Sequence, residues 1–168
     1  MSMDEHRGKF KGVIIHWTAG RYYPNADDYE HYHYLVNGDG LVIPGNYTPE
    51  DNLDCTDGQY ARGAEGGNTG YIHVAFCGMY GYESINKKGL FPLRESQCES
   101  GFSFIASLCD KLDIPVTRKG VQTHYEFDAS RGKRGRKIDI VCLPYIEMPT
   151  VLVGDYIRER IIFYLGKH

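Results

Sequence analysis

The feature that most constrains the fold is a short apolar run, Val13-Ile14-Ile15, that stops abruptly at His16-Trp17-Thr18 before Ala19-Gly20. Three consecutive branched aliphatic residues leave no polar face, so the segment reads as a short, fully buried strand. The polar side chain at its end then points into a site. Tyr71-Ile72-His73-Val74-Ala75-Phe76-Cys77 forms another apolar strand. Between them, His33-Tyr34-Leu35-Val36 and Leu41-Val42-Ile43 flank Asn37-Gly38-Asp39-Gly40, whose turn residues join the two runs as a β-hairpin.

Helical spacing appears in two other places. Cys98, Phe102, Ile105, Cys109 and Leu112 recur on one helix face after Ser96-Gln97-Cys98-Glu99, which has the form of a capping box. Thr150, after Pro149, is the expected cap of a second long helix, with Val153, Tyr156, Ile157, Ile161 and Tyr164 on one face and Gly166 as its stop. A short helix is expected near residues 27–32. The stretch 49–70, rich in Gly, Asp, Asn and Thr, reads as a long surface loop. Strands drawn from distant parts of the chain, with helices between and after them, predict an α/β fold: a central mixed β-sheet flanked by α-helices. At 168 residues the expectation is one domain over 1–168.

Composition removes several classes of function. Against 19 Lys and Arg stand 22 Asp and Glu, a formal charge of -3, so no chain-wide positive footprint for nucleic acid is present. Five cysteines, with no CxxC pair, fit neither a disulfide scaffold nor a Cys-rich zinc finger and read as reduced, mostly buried thiols. Residues 1–11 are polar, and no later stretch approaches the about 18 apolar residues of a membrane span. Neither a signal peptide nor membrane insertion is expected.

Three polar elements carry candidate chemistry: His16, His124 within Thr123-His124-Tyr125-Glu126, and Lys137-Ile138-Asp139 after a Gly- and Arg-rich loop. Each is weak alone, because a single histidine is more often an ordinary surface or core residue than a ligand. Three further segments join them in order: Tyr32-His33-Tyr34-Leu35-Val36 with Gly38-Asp39-Gly40, Asn68-Thr69-Gly70-Tyr71-Ile72 leading to Cys77-Gly78, and Gly135-Arg136 ahead of Lys137. Taken together these motifs, which span most of the chain, resemble the zinc-dependent N-acetylmuramoyl-L-alanine amidases. That family includes phage lysozyme-type amidases, bacterial muropeptide amidases and peptidoglycan recognition proteins.

The resemblance implies an amidase/peptidoglycan-recognition-like fold with Zn2+ held by His16, His124 and Asp139, three protein ligands that leave a fourth position open. It implies that zinc-activated water cleaves the amide between N-acetylmuramic acid and L-alanine in peptidoglycan or muropeptides. Lys137 then stabilises charge on the carbonyl oxygen, and Tyr32 orients the water or handles its proton. Asn68, His73, Arg134, Arg136 and Glu126 are the expected substrate contacts, with Glu126 also placed to steady the His124 region. In the basic run Arg131, Lys133, Arg134, Arg136 and Lys137, arginine would bind the free carboxylates of stem peptides.

Two departures from the family pattern stand out. The loop over 61–67 lacks the histidine that many phage-type relatives carry there, and His73 occupies a position where relatives usually have glycine. The implied biology is a monomeric phage or prophage endolysin, made in the cytoplasm and acting on the periplasmic cell wall after holin-type release. The alternative is a non-catalytic peptidoglycan-binding or regulatory protein on the same fold. Binding-only relatives usually lack a ligand, whereas all three are present here.

Overall fold

In the computed structural model, which describes residues 3–167, the Val13-Ile14-Ile15 run lies inside a five-stranded sheet. Strand β1 (Gly12–Trp17) is buried along its whole length. Parallel neighbours cover both its edges: β4 (Tyr71–Phe76) on one side and β5 (Val121–Thr123) on the other. The hairpin supplies β2 (Tyr34–Val36), parallel to β4, and β3 (Val42–Pro44), antiparallel to β2, giving the order β3-β2-β4-β1-β5. Its turn forms as its residues dictate. Asn37 Oδ1 accepts the N–H groups of Asp39 and Leu41 at 2.9 and 3.0 Å, and Gly40 takes a φ of +84° that a side chain would strain.

Alternation along the strands separates two faces with different work. Val13, Ile15 and Trp17 join Ile72, Val74 and Phe76 in the main core, beneath helix α2 (Glu95–Leu112) and the C-terminal helix α4 (Thr150–Leu165). Buried aliphatic and aromatic side chains of this kind stabilise by about 1.5–3 kcal/mol each, so this face dominates the stability of the fold. The opposite face carries Ile14, His16, His73 and Ala75. Only small apolar clusters cover it, Ile14 with Ala64 and Phe127, and Leu35 with Ala75 and Cys77. Polar groups are thus concentrated on the face with the thinner core.

Two short helices bound that second face. In α1 (Ala26–His31), Asn25 and Asp28 form a reciprocal capping box; in α3 (His124–Ser130), Thr123 and Glu126 do the same. Two expected caps lie elsewhere. Helix α2 begins at Glu95, and the Arg94 N–H donates to the Gln97 side chain at 3.1 Å, so Ser96 and Glu99 fall inside the helix and form no box. The Glu99 carboxylate instead accepts from Arg160 of α4 at 2.9 Å and from the Tyr164 hydroxyl at 3.1 Å. Pro149 takes the cap position of α4, with Thr150 as its first residue, while Gly166 ends it as expected.

The 49–70 stretch contains a 3-10 helix, Pro49–Leu53, tied down by the buried Asn52 side chain, which accepts from the Ala61 N–H and donates to the Ala61 carbonyl. All five cysteines are free, and four are buried. No helix among the described residues is long and apolar enough to cross a membrane.

Candidate metal centre and cleft

His16 and His124 meet because β1 and β5 are parallel neighbours that end on the same side of the sheet, where α/β folds collect their ligands. His16 is the penultimate residue of β1, and His124 follows β5 directly as the first residue of α3. Asp139 arrives from the loop after α3. Its Oδ2 lies 2.8 Å from His16 Nδ1 and 3.2 Å from His124 Nδ1, and one ligand atom from each of the three residues falls within 4.8 Å of the others. All three residues are buried.

His124 is held by the cap of its helix. Glu126 accepts the Thr123 N–H at 3.0 Å, completing the box, and receives two further bonds from Arg158 of α4 at 2.9 and 2.8 Å. Arg158 is itself buried and also donates to the Val121 carbonyl at 2.8 Å, tying β5, α3 and α4 together. Asp139 is anchored through its backbone, whose carbonyl accepts the Tyr125 N–H at 2.7 Å. One turn along α3 from His124 lies Asp128, wholly buried, with Oδ1 3.7 Å from His124 Nε2 and Oδ2 3.3 Å from Arg136 Nε. In the sequence Asp128 carries no signal beyond being a carboxylate four residues after a histidine.

Burial lowers the pKa of His16 to about 4, although Asp139 works against it, so the ring is neutral at pH 7 and has a lone pair to offer. Burial would raise Asp139, but contacts with His124 and His16 outweigh it and hold the carboxyl below its usual range. Two imidazole nitrogens and a carboxylate oxygen, converging at a buried point beside open space, form the donor set of an open zinc site. The residues present therefore fit the metal.

The centre borders a cleft of about 680 Å³. Tyr32 and Lys137, the two expected catalytic residues, both line it, and the Tyr32 ring lies 4.9 Å from that of His16. Burial, and the charge of Asp139 after it, raises the Tyr32 pKa far above the ordinary tyrosine value, so the phenol stays protonated and is a hydrogen-bond donor. Lys137 stands exposed in a loop at the rim. Arg136 also lines the cleft, but its guanidinium is engaged with Glu65 at 3.0 Å and with Asp128. Arg62 of the 61–67 loop and Asp28 and His31 of α1 also line the cleft.

Four expected substrate contacts fall elsewhere. His73 is wholly buried behind His16, with no surface toward the cleft. Asn68 is spent on a turn, its Oδ1 accepting the Ala64 N–H at 3.0 Å. Glu126 steadies His124, but by capping its helix and pairing with Arg158 rather than by accepting the imidazole N–H. Arg134, with Glu126, lines a separate cavity between α3 and the start of α4.

Fold and site together define an α/β protein of mixed sheet with a two-histidine, one-carboxylate centre at its strand ends. The chain belongs to the N-acetylmuramoyl-L-alanine amidase family, whose model matches residues 6–140, and is thus a peptidoglycan amidase by descent. Its fold is similar to that of the Staphylococcus aureus hydrolase AmiA, solved with its ligand: TM-score 0.60 and 18% identity over 95% of this chain and 77% of that one. It is also similar to the Ph2119 endolysin of a Thermus scotoductus bacteriophage, with TM-score 0.51 and 15% identity over 95% of this chain and 90% of that one. No curated protein sequence gives a significant match.

Proposed function

We propose that this chain hydrolyses the amide between the lactyl group of N-acetylmuramic acid and L-alanine, using zinc held by His16, His124 and Asp139, and that it acts as a phage-type lysis enzyme. The observation that carries this reading is the convergence of those three buried residues at the edge of a cleft that also presents Lys137 and Tyr32. Zinc bound there supplies a Lewis acid that activates water and polarises the amide carbonyl.

The protein's own residues do the rest. The Lys137 ammonium, on a flexible stem at the rim, reaches the carbonyl oxygen as negative charge develops on it, where a positioned cation stabilises the transition state most. The Tyr32 phenol, fixed in its protonated form, donates a hydrogen bond that orients the water or the carbonyl and takes no proton itself. Arg62, exposed at the cleft wall with its guanidinium over Tyr60 and bonded to the Gly58 carbonyl at 2.9 Å, puts positive charge where the free carboxylates of a stem peptide would lie. Fold likeness to a phage endolysin supports the lysis role.

The test is incubation of the purified protein with muropeptides, with products read by mass spectrometry before and after chelation and zinc restoration. Zinc-dependent release of a stem peptide beginning at L-alanine is the expected result. A folded, zinc-loaded protein that releases nothing would turn the reading toward binding without turnover.

A further inference from the structure

Behind His16, on the side away from the cleft, lies a second buried imidazole. β4 pairs with β1 so that His73 sits opposite Ile14, two residues before His16, and the strand period puts all three on one face of the sheet. His73 Nδ1 lies 2.9 Å from His16 Nε2, and His73 Nε2 lies 3.1 Å from Asn68 Oδ1.

The protons in this chain of contacts follow from its far end. Asn68 Oδ1 also meets the backbone N–H of Ala64, which can only donate, so the atom is an acceptor. His73 Nε2 must then carry the proton. Among the described residues no carboxylate is paired with the buried His73 ring, and a neutral imidazole that donates through Nε2 has its Nδ1 left as an acceptor. His16 Nε2 is left as the donor, and His16 Nδ1 presents a bare lone pair to Asp139 Oδ2 at 2.8 Å. Lone pair and carboxylate repel each other at that distance unless a cation lies between them.

We propose that His73 is a positioning residue for the metal centre: by accepting the His16 Nε2–H, it fixes the tautomer and ring orientation that present His16 Nδ1 beside Asp139 and His124. This rests on the reading of His16 as a metal ligand. It assigns to His73 the outer partner that metal-bound imidazoles use, here another imidazole in place of the commoner carboxylate or carbonyl.

The surroundings are shaped to hold that ring. His33 stacks on it with centroids 5.7 Å apart and planes 9° from parallel, and its Nδ1 accepts the His73 backbone N–H at 2.9 Å. His33 is oriented in turn by Asn52 Oδ1 at 2.9 Å, an oxygen marked as acceptor by the Ala61 N–H. From the third side Gly63 approaches so closely that a Cβ there would collide with the His73 ring. The absence of a side chain at Gly63 thus makes room for the His73 ring.

The test is zinc affinity of the full chain, measured by competition with a chromophoric chelator. His73→Leu removes the acceptor and is expected to weaken zinc binding by about 10- to 100-fold. His73→Asn, which keeps an acceptor near the Nδ1 position, is expected to recover most of that loss. A Leu variant that binds zinc like the unsubstituted protein, or an Asn variant as weak as Leu, overturns the assignment.

Nitrogen-15 NMR of the unsubstituted, zinc-loaded protein decides the same point without a variant: His16 bound through Nδ1 with its Nε2 protonated supports the relay, and His16 bound through Nε2 overturns it. Absence of zinc binding by the unsubstituted protein would overturn the metal reading itself. Binding that His16→Ala abolishes and His73→Leu leaves intact would overturn the relay alone.

Discussion

His124 Nε2 lies 3.7 Å from Asp128 Oδ1, and neither atom makes a hydrogen bond despite complete burial. At that separation the contact is electrostatic, and a small rotation of the ring would make Asp128 the acceptor that a metal-bound imidazole needs. Arg136 supplies the charge that lets a carboxylate exist there.

Asp128→Asn is therefore expected to reduce zinc affinity by about 10- to 100-fold while leaving the three ligands in place. Metal competition measures the loss. Unchanged affinity would reduce Asp128 to a partner for Arg136 with no influence on the centre.

Asp139 and Lys137 are two residues apart, yet their removal should fail differently. Asp139→Ala takes away the oxygen on which both histidine Nδ1 atoms converge, so zinc content falls and hydrolysis is abolished. Lys137→Ala leaves the ligand set whole, so zinc content stays and turnover drops by about 100-fold or more. Parallel metal analysis and muropeptide assays separate the two, and normal turnover in the lysine variant would remove Lys137 from the mechanism.

What could be read from the chain beforehand was what local rules determine. The β1 strand ending in His16, the Asn37 to Gly40 turn and the apolar faces of α2 and α4 all follow from short-range periodicity and turn chemistry. Side-chain destinations did not. Ser96 and Glu99 have the spacing of a cap, but Arg160, far along the chain, claims the Glu99 carboxylate. His73 was expected near substrate, yet the β1–β4 register sets it behind His16. Asn68 and Glu126 are drawn to a backbone N–H and to Arg158, partners that exist only once loop, strand and helix have met. The His16, His124 and Asp139 cluster was visible through family motifs, whereas the Asp128 and His73 contacts depend on distances that no spacing encodes.

His33 gives the fold a pH dependence of predictable sign. Burial lowers its pKa from 6.5 to about 4, against the opposing pull of its Asn52 hydrogen bond. Between those values the unfolded chain binds a proton that the folded protein refuses, so stability rises with pH across the window. The His33 contribution is fully present above pH 6.5 and is lost as pH falls through about 4. Its limiting slope is about 1.4 kcal/mol per pH unit. Urea unfolding of metal-free protein at pH 4.5, 5.5 and 6.5 should show this slope lessened in His33→Gln, and an unaltered slope would contradict the assignment.

Arg158 joins α4 to the cap of α3, and its loss should be felt in both stability and metal binding. Arg158→Met keeps the apolar stem but leaves Glu126 without its buried partner, and breaking such a pair by removing one member costs about 3–5 kcal/mol when both are fully buried. Glu126 keeps 27% side-chain exposure, so solvent screens part of the unpaired charge and the expected cost is lower, about 2–3 kcal/mol. Much of that cost is the stranded carboxylate, so Arg158→Met with Glu126→Gln should be more stable than the sum of the single variants predicts. Chemical denaturation of the four proteins in the cycle gives the coupling. If the Glu126 carboxylate holds His124 chiefly by capping α3, Glu126→Gln alone retains most zinc affinity, because the amide oxygen still accepts the Thr123 N–H. Strict additivity in the cycle would mean that Arg158 acts through its bonds to the Val121 carbonyl and to Asp155 instead, and that its pair with Glu126 adds nothing to the platform under His124.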